Sequence, residues 1–246
     1  MASITREILN PNLTLTVDNT VYSYDDIITH IDQAKTYFLS SGAKVGKKVL
    51  LQAPWPQYLG WFIAGAELGL TFVVADPESP SYNDILKLYG TIDFVIKDQT
   101  FNHTSYKDIF YSNGRDTLIY TTSSGTTGTP KVISYSHDFL FDLATRNTKV
   151  YDLQQSDRCA HTNTLTHSSV VGIYFLPTLM ACSNHYYFNT DFPEQLSAYK
   201  IRYCVVLRNH LSWLYYDFDN NIKHNLTLFV ISQLPVSYTH LTLPTI

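Results

Sequence analysis

The chain has 246 residues, 45% of them hydrophobic and only 15% charged, with a net charge of about −4. That length can bury a substantial core as one α/β domain or most of two, and the sparse, slightly acidic charge argues against a nucleic-acid-binding surface. No basic segment followed by an apolar one opens the chain, and the longest apolar run, residues 170–182, is too short for a bilayer and contains Pro177, so a cytoplasmic protein without a membrane span is expected. Cys159, Cys182 and Cys204 are an odd count with no close spacing, which predicts reduced, buried thiols and no metal site.

In chain order, Ser23 stands three residues before Asp26 as a capping pair, and Ile27, Ile28, Ile31, Ala34 and Phe38 then repeat at helical spacing as far as Ser41 and Gly42. The acids of this helix, Asp25, Asp26 and Asp32, read as serving the helix dipole and solvent rather than as a catalytic set. Residues 49–53 read as a strand, 55–68 as a helix whose Gly60, Ala64, Gly65 and Gly69 allow close packing, 71–75 as a strand, 84–88 as a helix and 92–96 as a strand. This alternation predicts an α/β fold with a parallel sheet built from right-handed βαβ crossovers. Residues 97–115 turn polar and read as a surface approach to the next stretch.

That stretch, residues 120–137, is Tyr-Thr-Thr-Ser-Ser-Gly-Thr-Thr-Gly-Thr-Pro-Lys-Val-Ile-Ser-Tyr-Ser-His. Gly125 and Gly128 permit positive φ, so successive N–H groups can turn inward around an anion. Ser123, Ser124, Thr126 and Thr127 add hydroxyl donors, and Lys131 adds a compact positive charge. A Ser/Thr/Gly run can equally be a flexible linker. Here strand-forming residues press on both sides, Leu118, Ile119 and Tyr120 before and Val132, Ile133 and Tyr135 after, which favours a strand–loop–strand phosphate grip. A Walker-type loop needs Gly before the Lys, Ser or Thr after it and then a helix, whereas Pro130 and Val132 occupy those places.

Residues 123–131, followed by Ser136 and His137, resemble the phosphate-loop signature of the adenylate-forming superfamily, which includes acyl-CoA synthetases, aryl-acid ligases, luciferases and peptide-synthetase adenylation domains. The resemblance implies that the loop closes over the β- and γ-phosphates of ATP, with Mg2+ bridging phosphates, while a substrate carboxylate attacks the α-phosphorus to give an acyl adenylate and pyrophosphate. It implies nucleotide-binding roles for Ser123, Ser124, Gly125, Thr126, Thr127, Gly128 and Lys131, with Lys131 also catalytic in neutralising the leaving group. Many members carry Gly after the Lys, where Val132 stands here.

Other parts of the chain are similar to the family in structural elements. Ser23 and Tyr24 with Ile27, the Gly42 to Val49 segment with Lys47 in place of the usual Asp, Gly65 with Gly69, and Asp76 with Pro77 all have counterparts. Past a helix marked by Phe139, Leu140, Leu143 and Ala144, Leu165 and His167 resemble a Leu-Pro-x-x-His-x-x-Gly element, without its Pro and aromatic. The resemblance would put His167 beside the acyl pocket, where a lone His near an apolar run is otherwise a packed residue. The partners implied are a small carboxylate and then CoA or a carrier-protein thiol. The rival reading is a non-catalytic nucleotide-binding domain that keeps the loop.

Strand and helix patterns at 173–187, 194–200, 203–207, 210–216 and 226–231 predict a second βαβ run, hence subdomains at 1–112 and 113–234 with the loop in the second. Residues 236–245 can be written in codons as GTC TCT TAT ACA CAT CTG ACG CTG CCG ACG, which resembles the transposon end and adapter of tagmentation sequencing libraries read in frame. Residues 235–246 are therefore expected to be an adapter-derived tail. In the family, the adenine-covering segment, a ribose-binding Asp and a mobile C-terminal domain with a catalytic Lys lie beyond this point. The chain is thus expected to be an N-terminal fragment, inactive by itself.

Overall fold

Two mostly parallel sheets share one apolar core in the computed structural model, which describes residues 3–77, 79–97, 111–122, 130–161, 171–188, 195–196, 198–207 and 227–231. The first sheet holds β1 (Thr14–Val17), β2 (Thr20–Tyr22), β8 (Arg158–His161), β9 (Asn184–Tyr187), β10 (Tyr203–Leu207) and β11 (Thr227–Ile231), in the order β11-β10-β8-β9-β1-β2. The second holds β3 (Lys48–Leu51), β4 (Thr71–Val73), β5 (Phe94–Ile96), β6 (Thr117–Thr122) and β7 (Val132–Ser136), in the order β5-β3-β4-β6-β7. Among the described residues only β1–β2 and β6–β7 pair antiparallel. Helices α1 (Tyr24–Ser40), α2 (Gln57–Glu67), α4 (His137–Val150) and α5 (Leu176–Ala181) contribute to the core that joins the sheets, while α3 (Tyr82–Leu88) packs on the far face of the second sheet.

The expected α/β fold of parallel βαβ units is the one observed. Strand pairing crosses chain order: β6 and β7 hydrogen-bond into the sheet of β3–β5, and β1 and β2 lie beside β9 in the other. Parallel pairing joins strands far apart in sequence, so chain order alone does not reveal it. The β1–β2 hairpin was not anticipated either. It turns through Asp18 and Asn19, both at positive φ (47° and 66°), the backbone that a tight two-residue hairpin demands.

The capping expected for α1 is present: the Ser23 hydroxyl accepts from the Asp26 N–H, and the Asp26 carboxylate accepts from the Ser23 N–H at 2.8 Å. Asp32 departs from the solvent-facing role expected of it. It is buried and bonds Arg6 at 2.8 Å within a four-charge network with Lys35 and Glu67.

Every residue of α2 from Tyr58 to Glu67 is buried; Tyr58 to Ala66 carry no charge, so each side of the helix can face the core, and Glu67 is paired there. Trp61 meets Phe38 of α1 edge-on at 5.2 Å, and Phe62 meets Phe72 of β4 at 5.0 Å and Phe175 at 5.7 Å. Gly60 is where α1 comes closest, since a Cβ there would lie 2.8 Å from His30 Cβ and 2.9 Å from its backbone carbon. Backbone cannot swing aside as a side-chain tip can. Gly60→Ala is therefore expected to lower stability by about 1–2 kcal/mol, overpacking outweighing the gain in helix propensity. A denaturant midpoint that falls without a change in slope would show it; an unchanged midpoint would mean that α1 yields.

Candidate functional site

The loop identified in the sequence is launched from a well-defined strand. β6 lies parallel to β4, with Phe72 opposite Ile119 and Val73 opposite Tyr120, so its carboxyl end falls on the same edge as those of β3, β4 and β5. Leu118 and Ile119 are buried and fix the strand. β7 returns antiparallel, with Thr122 opposite Val132, so residues 123–131 join the two strands and the chain resumes as strand rather than helix. Lys131 is exposed immediately before β7. Ser123, Ser124, Gly125, Thr126, Thr127 and Gly128, assigned to phosphate binding from sequence, lie outside the described residues, as does His167.

The end of the signature has a structural task. Ser136 caps α4 by accepting from the Phe139 N–H, and His137 is fully buried, its Nδ1 accepting from the Ile4 N–H at 3.0 Å. That bond leaves the proton on Nε2, a buried atom without a hydrogen-bond partner. Burial pushes His137 down to about 4, against the pull of Asp116 and Asp138.

A second group gathers at the carboxyl ends of β8 and β9, where His161 and Tyr187 are register neighbours. Trp55, from the turn after β3, lies against them, stacking on His161 at 5.6 Å, on Tyr187 at 5.4 Å and on Tyr58 at 5.4 Å.

Beneath Trp55, His161 Nε2 and His185 Nδ1 are 2.9 Å apart, and His185 Nε2 is 3.1 Å from the Cys182 carbonyl. A carbonyl only accepts, so His185 donates from Nε2 and receives the His161 Nε2–H. Both rings are buried and neutral: burial holds His185 down to about 4, and burial with the neighbouring His185 holds His161 well below its ordinary value. Neither Trp55 nor this histidine pair was singled out from sequence, because register across parallel strands brings them together.

The remaining charged cluster serves the core. Glu67 receives Arg6 Nε at 2.8 Å, Arg6 Nη2 at 2.9 Å, the Arg6 backbone N–H at 3.0 Å and the Lys35 ammonium. Cys159, Cys182 and Cys204 are buried free thiols, as expected. Among the described residues no group of three or more His, Cys, Asp or Glu side chains could hold a metal ion, and no helix is long and apolar enough to cross a membrane.

No family profile matches the sequence, and no curated protein sequence is similar to it. Solved structures do share its fold. The N-terminal subdomain of Klebsiella oxytoca NpsA, in complex with 3-hydroxybenzoyl-AMSN, superposes with a TM-score of 0.73 at 13% identity over 93% of this chain and 66% of that one. ATP-bound MatB from Rhodopseudomonas palustris gives 0.72 at 16% identity, over 91% of this chain and 52% of that one. The o-succinylbenzoate CoA synthetase MenE from Bacillus subtilis gives 0.71 at 11% identity, over 86% and 49%. The chain therefore has the fold of the N-terminal part of adenylate-forming enzymes and spans about half the length of MatB and MenE.

Proposed function

We propose that this chain is the N-terminal part of an ATP-dependent carboxylate-activating ligase that forms an acyl adenylate and releases pyrophosphate, with residues 123–131 as its phosphate loop. The observation that carries the reading is the antiparallel β6–β7 hairpin with that hydroxyl-rich connection at the carboxyl edge of a parallel sheet. The fold shared with ATP-bound MatB and with the 3-hydroxybenzoyl-AMSN complex of NpsA supports it. A helix after the Lys would have favoured a Walker-type NTPase instead.

In the proposed reaction a carboxylate oxygen bonds to the α-phosphorus of ATP while the bond from that phosphorus to the bridging oxygen breaks, and pyrophosphate departs. The carboxylate is already ionised at neutral pH, so no general base is needed. The chain's task is to hold phosphates and offset charge on the leaving group, through hydroxyls and amides of the loop and the Lys131 ammonium. Mg2+ would arrive on the phosphates of ATP, since the described residues offer no group of three or more His, Cys, Asp or Glu side chains for it. The activated acyl group would pass to CoA or to a carrier-protein thiol, and the protein would work in the cytoplasm.

Calorimetric titration of ATP into the 246-residue chain tests the loop. Lys131→Ala is expected to weaken binding about tenfold or more, the loss of a charge-assisted phosphate contact. In an enzyme completed downstream, the same change should slow carboxylate-dependent ATP–pyrophosphate exchange about a hundredfold. The chain alone should show no exchange. Unchanged ATP affinity in Lys131→Ala would remove that residue from the role, and retained binding without exchange in the completed enzyme would favour a non-catalytic nucleotide-binding domain.

A further inference from the structure

The second sheet ends in two edges of different character. β5 is three residues long and lies between Asp93 and Lys97, charged flanks of the kind that discourage pairing at a free edge. β7 has five residues, Val-Ile-Ser-Tyr-Ser, without charge or proline, and among the described residues only its β6 side is paired. Val132 and Ile133 stand on opposite faces of the strand and are 42% and 38% exposed, so neither face is covered there. Further along, Tyr135 stacks on Phe139 at 5.4 Å, and Phe139 is 47% exposed. An uncharged edge with apolar side chains on view is a template for another strand.

We propose that β7 pairs antiparallel with β7 of a second copy of this chain, across a two-fold axis at Ser134, and so joins two five-stranded sheets into one. The strand is complementary to itself in that register, the one that pairs all of its residues. Ser134 meets the partner's Ser134, Ile133 meets the partner's Tyr135, and Val132 meets the partner's Ser136. Directly opposite residues share a face, so each Ile133 covers a Tyr135 ring already backed by Phe139. The axis makes this β-branched and aromatic contact twice. No like charges meet along the strand. Lys131, exposed one residue before β7, falls beside the partner's His137 and the partner's Asp138, so its ammonium faces the acidic first turn of the partner's α4. Opposite charges at both ends of the paired strands thus fix the register that the apolar pairs favour.

Sedimentation equilibrium of the 246-residue chain should show a mass that rises from one copy toward two between micromolar and millimolar concentration. Ser134→Lys sets two ammonium groups face to face at the axis and should weaken dimerisation about tenfold or more, as should the two carboxylates of Ser134→Asp. Ser134 is exposed, so neither change disturbs the core, and circular dichroism of each variant alone checks that it folds. Mixed in equal parts, the two variants should associate at least as tightly as the parent, because opposite charges then meet. Ile133→Thr keeps the strand preference, removes the apolar contact on both sides of the axis and should weaken the dimer about fivefold. A chain that stays monomeric across the range would overturn the proposal and leave the edge to a downstream segment of a longer protein. A dimer that neither charge weakens, or a mixture that stays monomeric, would also overturn it, by placing the interface elsewhere or Ser134 off the axis.

Discussion

Glu67→Gln is expected to lower folding stability by about 3–5 kcal/mol, a large part of the total for a domain of this kind. Glu67 and Lys35 have no side-chain exposure, and Asp32 and Arg6 have little. The four charges sum to zero, which is why the network can be buried. Burial alone would raise the Glu67 carboxyl, but hydrogen bonds from Arg6 and Lys35 outweigh it and hold the group below the usual carboxylate range. The amide keeps the shape and removes the charge, leaving two cations facing Asp32 alone. Lys35→Met added to Glu67→Gln restores neutrality and should recover part of the loss, so the double-mutant cycle should be strongly non-additive. Glu67→Gln within about 1 kcal/mol of the parent in urea denaturation would mean that water reaches the network. The consequence would extend toward β6, which leads into the hydroxyl-rich loop: the Glu67 carbonyl accepts from the N–H groups of Tyr111 and Ser112 at 2.9 and 3.2 Å, on the segment that enters β6.

Local signals were the ones that could be read in the sequence. The Ser23 and Asp26 cap, the apolar runs that became β3, β4 and β5, the largely apolar α2 and the two strands around the hydroxyl loop are each set by neighbours within a few residues. Strand order was not legible, because β1 pairs with β9 across nearly the whole described chain and nothing at Leu15 announces His185. The alternation of Leu13, Leu15 and Val17 before Asp18 and Asn19 does carry a local hairpin signal. The ion network and the Trp55, His161 and Tyr187 stack join residues separated by long stretches of chain, each unremarkable in its own segment. Candidate site residues can be named from sequence where the chemistry is contiguous, as in the loop, whose residues 123–129 lie outside the described residues, and not where the fold assembles them.

Acid should unfold the protein well above the pH at which carboxylates titrate. His137, His161 and His185 are all held neutral by burial, the first and third at about 4 and the second well below its ordinary value. In the unfolded chain each returns to about 6.5. The depressed values mean that between roughly pH 6.5 and 4 the unfolded state binds protons that the folded state refuses. Stability is then complete above about 6.5 and falls as pH drops through this window. Each group contributes up to about 1.4 kcal/mol per pH unit, so three approach about 4 kcal/mol per unit. His30, half-buried and also lowered by burial, acts in the same direction. Glu67 is depressed from a carboxylate value and adds its loss only below about 4.5, which leaves the interval from 6.5 to 4.5 to the histidines. Urea denaturation at pH 7.5, 6.5 and 5.5 should show a flat upper step and a steep lower one. His137→Gln, whose side-chain oxygen can still accept the Ile4 N–H, should reduce the steep step by about a third while costing about 1 kcal/mol at pH 7.5. Equal stability at pH 7.5 and 5.5 would show that these rings take up protons in the folded state, and the buried histidine pair beneath Trp55 would then have to be open to water.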